Sequence, residues 1–169
     1  MLMKLWDTNL QEGLGPVGLC DLIEKECQTD IKASCQKITH YFSRESTKEI
    51  SEPVFELVQI LYVKLDDEVR HLFLKESGII FPAIKKLETG TFIQHNIPDS
   101  IHQTQQIIIN LLLKLRQLLN NYVTHPGCDK EWKACVNEIF LLENLIHLWI
   151  YIEQSLLYPP ITHKINSLH

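Results

Sequence analysis

Two glutamates are the residues of this chain best placed to do chemistry. Glu76 and Glu153 each sit inside an apolar helical run, Leu72-Phe-Leu-Lys-Glu76-Ser-Gly-Ile-Ile-Phe81-Pro82 and Trp149-Ile-Tyr-Ile-Glu153-Gln-Ser-Leu-Leu-Tyr158-Pro159, and each is followed by an aromatic-Pro pair. A carboxylate on an apolar face is costly unless it is paired, protonated or bound to a metal. Repeated on two helices, it predicts a two-fold site in the middle of a bundle.

The other candidate groups are histidines and cysteines. His71, His102 and His147 lie close in sequence to the positions that would face the two carboxylates. The helical period turns them away, because one residue is about 100° of rotation. His71 groups with Lys64, Glu68 and Lys75, His147 with Glu143, Asn144 and Tyr151, and His102 with Gln105 and Gln106. They read as solvated or rim histidines, with a displaced ligand as the other possibility if a π-bulge turns one inward. Five cysteines, Cys20, Cys27, Cys35, Cys128 and Cys135, include no C-x-x-C pair, so they read as reduced core residues. Cys35 and His40 point in different directions on one helix, which argues against a Cys-His hydrolase.

The elements that must carry these residues are four amphipathic helices. Cys20, Ile23, Cys27, Ile31, Cys35, Ile38 and Phe42 recur at steps of three and four and predict helix one from Leu19 to about Phe42. Ser51-Glu52-Pro53 is a start signal for helix two, whose stripe Val58, Tyr62, Leu65, Val69, Leu72, Glu76 and Ile80 reaches Pro82, where a kink or an end is expected. Glu88 to Pro98 reads as a connection. Asp99 or Ser100 is expected to cap helix three, with stripe Thr104, Ile108, Leu111, Leu115, Leu118 and Tyr122, ended by His125-Pro126-Gly127. Asp129 is expected to cap helix four, with stripe Trp132, Cys135, Ile139, Leu142, Ile146, Trp149, Glu153 and Leu156. Residues 1–18 form an irregular lead-in and 19–169 the bundle, which is all-α, antiparallel and up-down-up-down.

These residues resemble the hemerythrin-like iron-sulfur-cluster-repair di-iron family, also described as regulators of cell morphogenesis and nitric-oxide signalling. The resemblance rests on Gly15-Pro16 before Leu19-Cys-Asp-Leu-Ile23, on Lys75-Glu76-x4-Phe81-Pro82-Ala-Ile84 with Leu87-Glu88, on Cys128 before Trp132-Lys-Ala134, and on Leu156-Leu-Tyr-Pro159. It implies a di-iron site held by one His on helix one, His-x3-Glu on helix two, one His on helix three and His-x3-Glu on helix four. Carried onto this chain, the glutamates are Glu76 and Glu153. The imidazole positions fall on Gln28, Leu72, Thr104 and Trp149, none of which supplies imidazole nitrogen.

The expectation is therefore a hemerythrin-like protein with a degenerate metal site and no cofactor, acting by binding a protein partner or small ligand in a stress or nitric-oxide response. The alternative is an iron protein with a rearranged carboxylate site that repairs iron-sulfur clusters or handles nitric oxide. A third reading is a structural bundle that associates through the Ile107-Ile-Ile-Asn-Leu-Leu-Leu113 run, for instance as a homo-dimer. For the glutamates, hydrogen-bonded or protonated remnants satisfied by neighbours such as Gln28, Thr104 and Tyr62 stand beside weak metal ligation. A net charge of -5 disfavours nucleic acid and anionic membranes as partners. No signal-like start and no uninterrupted apolar span is evident, so a soluble cytoplasmic protein is expected.

Overall fold

The computed structural model describes residues 13–44, 52–87 and 97–166, and among them every regular element is helical. Four long helices carry the structure. α1 comprises Pro16–Leu22, a π-helical turn Ile23–Cys27 and Gln28–Ser43. α2 comprises Phe55–Lys75, a π turn Glu76–Ile80 and Phe81–Leu87. α3 is Ile97–Leu118, followed by a 3-10 turn Asn120–Tyr122. α4 comprises Lys130–Tyr151, a π turn Ile152–Leu157 and Tyr158–Asn166.

The starts of these helices follow local chemistry. Pro16 occupies the first turn of α1, where a missing N–H costs nothing, and Leu19 N–H closes onto Gly15 O at 2.9 Å. α1 thus begins ahead of the expected Leu19. Asp129 caps α4, accepting at Oδ1 from Glu131 N at 2.8 Å and Trp132 N at 3.0 Å. α3 begins at Ile97, ahead of the expected Asp99 or Ser100 cap. Residues 1–12 of the expected lead-in, the Ser51 cap and most of the 88–98 connection lie outside the described residues.

The interior is one cluster drawn from all four helices. The expected stripes of α1, α2 and α4 are buried with the sole exception of Leu156, which is half-buried. At one end Tyr41, Phe42, Phe55, Tyr62 and Trp132 pack ring against ring, with centroids from 5.3 to 6.4 Å apart. Such pairs add about 0.5–1.5 kcal/mol beyond the area they bury. Cross-helix pairs fix the register: Asp21–Lys85, Gln28–Glu76 and Cys35–Tyr62 between α1 and α2; Lys37–Glu138 and Arg44–Glu131 between α1 and α4; Gln105–Glu153 and Arg116–Glu143 between α3 and α4. In each set one number rises as the other falls.

Two expectations about helix ends are corrected. Pro82 neither ends nor breaks α2, which runs on to Leu87. The π turn before it is the reason: Phe81 N–H bonds to Glu76 O, and the widened turn takes up the residue whose ring would crowd a normal α-helix. α3 ends earlier than His125-Pro126-Gly127, because Asn120, Asn121 and Tyr122 have φ of 49°, 55° and 65° and turn the chain left-handed. Asn tolerates that region; a Tyr there must be held by its surroundings. The hold comes from Glu143, which accepts from the Tyr122 hydroxyl.

Of the expected α3 stripe, Ile108, Leu111 and Leu115 are buried, whereas Leu118 and Tyr122 are half-buried, as is Thr104, which returns its hydroxyl to Ser100 O at 3.2 Å; Ile101, Gln105, Leu112 and Leu119 complete the buried face. The long α4 segment Lys130–His163 is apolar enough for a membrane span by length and composition, with a mean hydropathy of 1.3 over its richest window, but 61% of that window is buried against the other helices. That is how a core helix packs.

Candidate functional site

Three π turns meet around Glu76 and Glu153, closed by Gln28 N–H to Ile23 O, Phe81 N–H to Glu76 O and Tyr158 N–H to Glu153 O. An inserted residue shifts the helical phase, so two neighbours can face the core where a regular helix would bury one. On α1 this buries Gln28 together with Cys27. On α2 and α4 it accounts for the repeated Glu-x4-aromatic-Pro. The glutamate supplies the carbonyl that closes the turn, the aromatic residue supplies the amide, and Pro follows where the ladder has already been reset.

Glu76 and Glu153 are both 0% exposed. Gln28 Nε2 donates to Glu76 Oε2 at 3.2 Å and contacts Ser77 Oγ at 3.4 Å. Glu153 Oε1 accepts from the Trp149 indole Nε1–H at 2.8 Å, and Oε2 accepts from Gln105 Nε2 at 2.5 Å. Gln154 Nε2 donates in turn to Gln105 Oε1 at 2.8 Å. Among the described residues no cation is bonded to either carboxylate.

Burial, the first cause, raises Glu76 well above the usual carboxylate range, and the neighbouring Glu153 charge raises it further. Burial also raises Glu153, opposed by hydrogen bonds from Glu76, Trp149 and Gln105. Glu76 Oε1 is buried and accepts from no donor. That orphan and the Glu76–Glu153 interaction are reconciled if Oε1 carries a proton, since two ionised carboxylates cannot satisfy each other. Both carboxyls are thus shifted toward the protonated form, Glu76 the more strongly, and Glu153 receives the stronger donors.

The sequence-predicted positions distribute as follows. Gln28, Leu72 and Trp149 are buried at the pair's level, Leu72 and Trp149 at 0% exposure. On α3 the residue bonded to the pair is Gln105; the expected Thr104, one residue earlier, is half-buried and bonds to Ser100 O instead. Tyr62 is not a partner of the glutamates either; its hydroxyl donates to Cys35 O at 2.6 Å and meets Thr39 Oγ1 at 2.8 Å. His71 bonds to Asp67 O at 2.9 Å on the outer face, and His102 lines a recess at the end of the bundle. His147 approaches Glu143 at 3.4 Å. None of the three is brought to the glutamates.

Sequence reasoning missed a third buried carboxylate. Glu143, grouped above with outward residues, is 3% exposed and accepts from Arg116 Nε at 3.0 Å and Nη2 at 2.8 Å, as well as from Tyr122. Unlike the central pair it has a bidentate guanidinium, so it is a paired structural anion. Arg116 reaches Glu143 from near the end of α3 across to α4, and Tyr122, expected on the α3 stripe, reaches it from the left-handed turn beyond that helix.

The residues present do not fit an iron pair. Where the resemblance places imidazole lone pairs, the chain has two carboxamide N–H donors, an indole N–H and a leucine, so a cation between the carboxylates would face hydrogen-bond donors. Among the described residues no group of three or more His, Cys, Asp or Glu side chains could hold a metal. Cys20, Cys27, Cys35 and Cys135 are buried, and burial pushes each thiol up to about 12, away from thiolate ligation. No protein-family model matches the chain, and no curated protein matches it significantly.

Proposed function

We propose that this chain is a metal-poor hemerythrin-like protein, an up-down-up-down antiparallel four-helix bundle similar to the iron-sulfur-cluster-repair di-iron family. In it a hydrogen-bonded carboxyl pair replaces the iron centre, and the protein acts as a binding or regulatory component of a stress or nitric-oxide response. The opposed numbering of the cross-helix pairs supports the antiparallel order. The observation that carries the functional reading is the donor set on Glu153: Trp149 and Gln105 present N–H groups where an iron protein needs lone pairs.

Such a site does acid-base chemistry in place of metal chemistry. It holds a proton on two carboxyls under apolar cover, and the role assigned to it in this reading is binding. The test is elemental analysis of protein purified without chelators and then exposed anaerobically to Fe²⁺. The expected result is less than stoichiometric iron and no change in melting temperature. Two irons per chain, with oxo-to-iron charge-transfer absorption, would establish the alternative redox reading instead.

A further inference from the structure

We infer that the recess between the start of α3 and the end of α4 is a binding site for a small organic ammonium ion with a short apolar body; this rests on the binding-protein reading above and gives it a ligand class. The recess has a volume of about 540 Å³, and Gln105 and Gln154 form part of its lining. That size suits a small ligand, since such sites hold about 300–1,000 Å³.

The charge preference follows from the orientation of Gln105. Its Nε2–H donates inward to Glu153 Oε2, and the carbonyl Oε1 points the other way. That oxygen takes one bond from Gln154 and retains a second lone pair. The floor therefore presents an acceptor. Asp99, exposed and also lining the recess, adds a carboxylate at the rim.

The walls supply the rest. Ile101 and Pro159 are apolar, and Tyr158 lines the recess with an aromatic ring. An alkylammonium is held by such a combination of carbonyl oxygen, carboxylate and ring. Tyr158 is only 9% exposed, and its hydroxyl is buried without a hydrogen-bond partner. The imidazoles of His102 and His163 add ring nitrogens able to accept.

The experiment titrates the full chain with n-butylammonium chloride, following amide chemical shifts and the melting temperature, with n-butanol and sodium butyrate as matched neutral and anionic probes. The expected result is saturable binding of butylammonium alone, with shifts confined to α3 residues near 99–105 and α4 residues near 154–163. Asp99→Asn changes an exposed side chain and leaves the carboxyl pair intact; it should weaken binding at least fivefold. Equal responses to the three probes, no saturation, preference for butyrate, or wild-type binding by Asp99→Asn would each overturn the inference. Iron loading is measured separately, so failure here leaves the metal-poor reading standing.

Discussion

Replacing Glu76 by Gln should flatten the pH dependence of stability, whereas Glu153→Gln should destabilise the fold outright. Below the unfolded carboxyl's pKa, both folded and unfolded chains carry the Glu76 proton, and its contribution to stability is fully present. Above it the unfolded chain ionises while the folded protein keeps the proton, because burial and Glu153 raise Glu76. The folded state then binds more protons, so stability falls as pH rises, at about 1.4 kcal/mol per pH unit for one proton, until the folded pKa is passed. The carboxamide of Glu76→Gln imitates the protonated acid, with N–H toward Glu153 and oxygen toward Gln28, and removes this slope. The carboxamide of Glu153→Gln has one oxygen for two donors, Trp149 and Gln105, and turns an N–H against the other. Rotating the Gln105 amide relieves that conflict only by breaking the bond from Gln154, so a cost of roughly 1–3 kcal/mol is expected. Urea unfolding followed by helical circular dichroism at pH steps from 5 to 8 measures both effects. Parallel pH profiles for wild type and Glu76→Gln, or equal stability of the two single variants, would refute the assignment of a proton to Glu76.

Trp149→Phe removes the indole donor but keeps ring packing against Phe73 at 4.7 Å; roughly 1–2 kcal/mol should be lost while Glu153 is ionised, and less as falling pH protonates it. Of the five thiols, Cys128 is the only half-exposed one, so a thiol reagent should label it in the native protein and reach all five only after denaturation; rapid native labelling of Cys20 or Cys27 would contradict the packing around the pair. Asp129→Ala should cost roughly 1 kcal/mol through loss of the α4 cap, with no change in pH slope, as urea melts would show.

The stripes of α1, α2 and α4 were legible in the sequence because helical periodicity is a local property, and a face that repeats every three or four residues must be buried somewhere. The same logic marked Glu76 and Glu153, and the distance of His71 and His147 from the pair followed from rotation alone. α3 shows the limit. Its run Ile107 to Leu113 is apolar on several sides, so two phases fit, and only packing against α2 and α4 selected Gln105 over Thr104. The π turns were equally hidden, since one extra residue per turn is a choice between backbone hydrogen bonds that neighbouring helices settle; they alone bring Gln28 inward and let α2 pass through Pro82. The Tyr122–Glu143 contact depends on a left-handed turn at Asn120–Tyr122 that no local pattern specifies. Residue spacing was enough to dictate that two carboxyls would be desolvated in a helical core. The donors that polarise them emerged only on packing, because hydrogen-bond partners from four helices are a matter of ångströms and helix phase, which local spacing does not encode.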